Sequence, residues 1–304
     1  MSIARANTMK ISDTASQQFV KGFFRSKVAS AALMCLIFIL ILACMAPLLA
    51  SQNPYDLSML DVMDARLAPG SRSTSGHLTF ILGTDQQGRD MLSAILYGVR
   101  ISMFVGVVST IVALFIGLIL GLMAGFLGGR IDSLIMRLVD IQLSFPPILI
   151  ALILLALSGP GVGKIIVALV TVQWAYYART ARSAAMIERQ KEYIEAASLL
   201  GLSPLRIMWK HLMPNCLPPL IVVAALQCGS AISLEATLSF LGLGLPVTEP
   251  SLGLLISNGF NYLLSEKYWI SFFPGIALLF TVMTINLVAD QLRDVINPRL
   301  QSNF

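Results

Sequence analysis

Long stretches of apolar residues, nearly free of charge, constrain this chain more than any other feature. Each is about 20 residues long, the length a helix needs to cross ~30 Å of hydrocarbon at ~1.5 Å per residue. The chain is 56% hydrophobic and 12% charged, against roughly 25% charged for a soluble domain. The stretches therefore predict membrane spans rather than the core of a water-soluble fold. Six are read: Val28–Ala50, Ile101–Leu127, Leu134–Leu157, Ile165–Tyr177, Leu217–Leu238 and Ile270–Ala289. The expected fold is an all-α membrane protein with six transmembrane helices.

The basic residues set the orientation. With the N-terminus in the cytoplasm, 15 Lys and Arg fall on the inner side and 6 on the outer, as the positive-inside rule requires. Both termini are then cytoplasmic and the protein is multi-pass in the cell (inner) membrane. The implied organisation is a tail over 1–27, a first span over 28–50, an extracytoplasmic segment over 51–100, a core over 101–290 with a cytoplasmic loop at 179–215, and a tail over 291–304. The first apolar run is too long, and its basic lead too long, for a cleaved signal peptide.

Several functional classes find no material here. The net charge of +5 is not gathered into a patch with interleaved aromatics, so no nucleic-acid partner is implied. Cys35, Cys44, Cys216 and Cys228 lie in or beside apolar runs, and His77 and His211 are far apart. Neither set has the spacing of a metal site or a disulfide framework. The string SGPGVGKI at Ser158–Ile165 imitates a P-loop, but it has Ser in place of the first Gly and Ile in place of the Ser or Thr that would hold magnesium. No catalytic, cofactor-binding or metal-binding residues are assigned.

Local patterns add detail. Gly117, Gly121, Gly125 and Gly129 recur every fourth residue along one helix face, which favours close helix packing over a pore lining. Phe145, Pro146 and Pro147 predict a kink in the third span. Arg137 and Asp140 lie three apart and are read as a local pair. Glu235, near the outer end of the fifth span, is a candidate pathway residue, with a bond to a neighbouring loop as the alternative. In LGTDQQGRD at Leu82–Asp90, Arg89 is expected to pair with Asp85 or Asp90, or the string to contact a binding protein.

The cytoplasmic stretch Arg179–Asn215 predicts a helix to Leu200, a stop at Gly201, a new start at Ser203–Pro204, and a short helix closed by Met213–Pro214. Leu205, Met208, Trp209 and Leu212 form its apolar stripe. Glu195, Ala196 and Ala197, then Gly201, then Pro214, resemble the cytoplasmic loop of ABC importer permeases. GGRIDSLIMRLVD, EATLSFLGLG, FPG and NLVADQLRDVINPRL are similar to the dipeptide, oligopeptide and nickel branch of that family. His211 and Met213 depart from the general pattern at its close.

The resemblance implies a type I ABC importer permease fold and a coupling role for Glu195, Ala196, Ala197, Gly201 and Pro214. It implies a homologous second permease subunit, two ATP-binding subunits holding ATP and Mg, an extracytoplasmic substrate-binding protein, and surrounding membrane lipid. Cargo would be di- or oligopeptides, or a nickel complex, opine or glutathione. The competing reading is a secondary transporter or channel without an ATPase, whose inverted repeats and paired broken helices are not evident.

Overall fold

A computed structural model describes residues 15–296 except 57, 59 and 247, with side chains described from residue 20 onward. Arg5, Lys10 and Arg299, counted among the inner basic residues, and the closing NPRL of the NLVADQLRDVINPRL string lie outside the described residues. In chain order the helices are α1 (Ala15–Phe24), α2 (Lys27–Leu49), α3 (Met91–Leu127), α4 (Gly129–Ser144), α5 (Pro147–Ser158), α6 (Val162–Arg189), α7 (Glu192–Leu199), α8 (Pro204–Arg206), α9 (Met213–Phe240), α10 (Leu252–Phe260) and α11 (Trp269–Ile296). One small antiparallel pair, β1 (Ser71–Arg72) with β2 (Thr79–Phe80), departs from the all-α expectation.

Among the described residues, four helices are long and apolar enough to cross a membrane: α2, α3, the run Pro204–Phe240, and α11. The pair α4–α5 makes a fifth if it counts as one span, but it bends by 89°. The kink expected within Leu134–Leu157 is thus a break into two helices. Pro146 holds extended backbone, and Pro147 restarts the chain at the first turn of α5, where a missing N–H costs nothing. The fourth expected span, Ile165–Tyr177, lies inside the 28-residue α6. That helix carries Lys164, Gln173, Arg179 and Arg182, which place it below the others in apolarity.

Two boundaries differ from the sequence reading. The second span begins at Met91, ten residues before Ile101, because the Asp90 carboxylate caps the helix by accepting from the Ser93 amide at 3.0 Å. The helix expected to run through to Leu200 is interrupted at Gln190–Lys191, which separates α6 from α7.

The centre of the fold is the contact of α3 with α6. Had Gly117 a Cβ, it would lie 2.6 Å from the Trp174 carbonyl oxygen; one on Gly121 would lie 2.6 Å from Ala181 Cβ, and one on Gly125 2.7 Å from Ala185 Cβ. Three glycines on one helix thus face α6, partly across its alanines, and the backbones meet closely enough to pack without intervening side chains. Gly129, the fourth of the expected ladder, lies beyond the end of α3 and forms the turn into α4.

The segment between α2 and α3 is tied down by polar contacts. Asp64 accepts from Ser73 Oγ at 2.6 Å and from the Thr74 amide at 2.7 Å. Thr84 Oγ1 donates to the Asp64 carbonyl at 2.6 Å, and Trp269 Nε1 donates to the Thr84 carbonyl at 3.2 Å. These links fasten the segment to the start of α11. The Arg89 amide donates to Asp85 Oδ1 at 3.0 Å, and both residues are fully buried. Burial pushes the Asp85 carboxyl up, opposed by hydrogen bonds and the Arg89 charge. Asp90 serves as the cap of α3.

Candidate coupling loop and intramembrane charges

The loop is built by a helix stop that glycine makes possible. At the end of α7 the Gly201 amide donates to the Ser198 carbonyl (3.0 Å) and the Leu202 amide to the Ala197 carbonyl (3.3 Å). This is the paired bonding of a Schellman C-cap, with Gly201 at φ +73° as its left-handed residue. Ser203 follows in extended backbone, without a side-chain cap bond, and Pro204 opens the next helical turn.

The second helix does not close at Met213–Pro214, as the sequence suggested. A π-helical turn, Ile207–Leu212, joins α8 to α9, and the whole run Pro204–Phe240 is continuous. The Met213 amide bonds to the Met208 carbonyl, five residues back. Pro214 has no N–H to give, and the widened turn directly before it absorbs the missing donor within the helix. The wider winding also shifts the expected stripe. Ile207, Met208 and Leu212 are buried, whereas Leu205 and Trp209 stay exposed.

In α7, Ile194 and Ala197 face the core, while Glu195 and Ala196 face out. Leu199 and Leu200, which the sequence reading passed over, are 84% and 80% exposed. Two adjacent leucines just before a helix-stopping glycine were the available signal. At the protein surface, Tyr193 Oη donates to Glu188 at 2.7 Å, and Asn215 Nδ2 donates to Tyr193 Oη at 3.1 Å and to the His211 carbonyl at 2.8 Å. Lys191 pairs with Glu188 at 2.5 Å. Burial, with the hydrogen bond to Glu188 and its charge, pushes the Tyr193 hydroxyl up to about 12. The network links the end of α6, α7 and the start of α9.

The expected pairing of Arg137 with Asp140 is not formed. Asp140 pairs with Arg179 on α6, and Arg137 remains exposed. Neighbours three apart on α4 lose this competition because α6 brings a second arginine across the interface. One turn further along α6, Arg182 grips Asp132, so two ion pairs fasten α4 to α6. Glu235 is fully buried within the chain. Its carboxyl accepts from Ser102 Oγ of α3 at 2.8 Å and from Ser239 Oγ of its own helix at 2.7 Å.

The family described as binding-protein-dependent transport system inner membrane component matches residues 117–302. The N-terminal TM domain of oligopeptide transport permease C matches residues 14–69. The dipeptide transport system permease protein DppC of Escherichia coli (strain K12) is 41% identical over 288 residues, which cover 95% of this chain and 94% of that one. This chain belongs to the dipeptide permease family of ABC importers. The di/tripeptide transport system permease protein DppC of Pseudomonas aeruginosa (strain UCBPP-PA14) is 38% identical over 94% of this chain and 93% of its own length.

The permease also shares its fold with a solved, inward-facing form of the methionine ABC transporter MetNI. The TM-score is 0.55 at 22% identity, with coverage of 67% of this chain and 97% of that one. A type I permease core therefore occupies two thirds of the chain. As a member of this family the protein is a permease, not an enzyme, and resides in the inner membrane.

Proposed function

We propose that this permease is one half of the translocation pathway of an ATP-driven importer for di- or oligopeptides or a related small solute. It pairs with a homologous second permease subunit, two ATP-binding subunits that hold ATP and Mg, and an extracytoplasmic substrate-binding protein. Both termini are cytoplasmic, which puts α7 and the turn at Gly201 on the side of the ATPases. The relatives named for dipeptide transport support the cargo class.

The observation that carries the reading is the outward face of the loop. Glu195, Ala196, Leu199 and Leu200 present a small apolar surface with one carboxylate, held from below by Ile194 and Ala197, while the exposed Tyr193 network ties α7 to its neighbours. A rigid apolar knob on a cytoplasmic loop suits a cleft in a soluble partner. Force delivered there passes through Asn215 into α9 and through Glu188 into α6. Pro214 adds the widened turn at the entrance to α9.

The test is to purify the transporter with Glu195→Arg or Leu200→Glu and measure ATPase co-purification beside uptake of labelled dipeptide into vesicles. Both substitutions change exposed side chains, so stability should shift by no more than ~0.5 kcal/mol. ATPase retention and uptake should fall together. Retention and uptake at wild-type levels in both variants would reject the coupling role.

A further inference from the structure

A groove of about 600 Å³ opens between α2 and α3, on the side of the molecule that carries residues 51–90. Leu40 of α2 and Phe104, Val107 and Val108 of α3 form its walls, and Phe104 is 55% exposed. Arg100, Tyr55 and Glu249 also line it. Val108 lies eight residues along α3 from Arg100, so the apolar wall extends about 12 Å down the helix from the guanidinium. The 37 residues of α3 span about 55 Å, more than the ~30 Å of hydrocarbon. Arg100 is the one charged residue of α3 and stands directly before its apolar run from Ile101 to Leu127, a position suited to the level of lipid headgroups, where basic and aromatic side chains collect.

The three polar groups are poised for a ligand rather than for one another. No ion pair joins Arg100 to Glu249 among those of the described residues. Glu249 Oε2 is buried and has no hydrogen-bond partner, a costly state for a carboxylate oxygen. Tyr55 is fixed by edge-on packing on Tyr97, with ring centroids 5.0 Å apart. Burial, and next the Glu249 charge, push its hydroxyl up to about 12 against the opposing pull of Arg100.

A cation, a hydroxyl and an unsatisfied carboxylate at one slot, with apolar walls two helical turns deep, complement a molecule that is zwitterionic at one end and hydrocarbon at the other. We propose that this groove binds one aminophospholipid of the phosphatidylethanolamine class. Arg100 and Tyr55 take the phosphate, Glu249 accepts from the primary ammonium, and an acyl chain lies along Leu40, Phe104, Val107 and Val108. A choline headgroup has no N–H for Glu249, and a glycerol headgroup brings no cation to it. A short peptide shares the two charges, but the apolar walls would leave its amide group without partners.

The experiment is native mass spectrometry of the full-length chain, released from nanodiscs containing equal parts of phosphatidylethanolamine, phosphatidylcholine and phosphatidylglycerol. One phosphatidylethanolamine should be retained in preference to the other two. The double variant Arg100→Gln with Glu249→Gln should retain it ~10-fold less, the equivalent of about one charge-assisted contact. Val108→Trp, which fills the slot and spares the headgroup residues, should also reduce retention.

Equal retention of all three lipids, or wild-type retention in the double variant, would overturn the proposal. So would displacement of the lipid by free dipeptide, which would make the groove a solute site. If the variants do not fold, a photoreactive phosphatidylethanolamine decides on the wild-type chain. Adducts on α2 and α3 support the site, and adducts confined to other helices reject it.

Discussion

Arg182 on α6 holds Asp132 on α4 with two donors, Nε to Oδ1 and Nη2 to Oδ2, the second bond being 2.7 Å long. The two side chains are 29% and 21% exposed, so the pair is partly shielded from water. Asp132→Asn or Arg182→Ala should cost about 1–2 kcal/mol, read as a lower thermal midpoint of the purified permease. Arg182→Lys keeps the charge but loses the planar fork, and should fall between. The Asp140–Arg179 pair is 67% and 51% exposed, and its loss should cost about 0.5 kcal/mol or less. Equal costs for the two pairs would show that shielding does not govern their strength.

Hydropathy exposed much of this arrangement and hid the rest, for identifiable reasons. Five of the six expected spans overlap the four apolar helices or the bent pair, because a lipid-facing helix must carry apolar side chains on most of its surface. The extent of α6 was not legible, since apolarity stops at Tyr177 while Ala181 and Ala185 go on packing beside Gly121 and Gly125. Small residues score weakly on hydropathy yet permit the closest contact. Asp140 was assigned to the wrong arginine because sequence spacing shows neighbours along one helix and not the helix lying across it. The turn at Gly201 was legible from glycine, serine and proline alone. The π turn before Pro214 was not, because a proline signals an ending in most helices, whereas here the buried Ile207, Met208 and Leu212 anchor the turn that leads into it.

Two glycines separate packing from conformation. A Cβ on Gly121 would meet Ala181 Cβ at 2.6 Å, whereas one on Gly201 meets nothing within 4 Å. Gly121→Val should force α3 from α6 at a cost of about 1–3 kcal/mol or more and reduce the yield of folded protein. Gly201→Ala should cost about 1–2 kcal/mol through its φ of +73° alone. Asn, which tolerates that region, should restore most of the loss at 201 and none at 121. Circular-dichroism melts of the purified variants distinguish the two mechanisms.

Pro214 offers a test of the widened turn. Pro214→Ala returns an N–H to the backbone, which lets Ile207–Leu212 relax toward ordinary α winding and rotates Trp209 and Leu205 relative to α9. The folded protein should be at least as stable as wild type, because a donor is gained. Uptake per ATP hydrolysed should fall, since the loop then presents a different face. A variant with unchanged uptake and unchanged ATP consumption would separate the π turn from coupling.

Asp64 makes the outer segment sensitive to acid. Burial pushes its carboxyl up, but hydrogen bonds from Ser73, Thr74 Oγ1 and the Thr74 amide outweigh burial and hold it below the usual carboxylate value of 3.8. A carboxyl lowered on folding contributes stability that is complete above its unfolded pKa and is lost as pH falls through the folded value. The hairpin of β1 and β2 should therefore stay protected at pH 5 and above and loosen below about pH 4. Amide hydrogen exchange at Thr74 reads this directly. Asp64→Asn should give faster exchange at neutral pH and remove the acid transition, because the amide can accept through only one oxygen where the carboxylate uses two. An acid transition that persists in Asp64→Asn would assign it to another carboxylate of the segment that folding holds low, such as Asp56 with its hydrogen bonds from Ser58, and not to Asp85, whose raised carboxyl gains stability as pH falls.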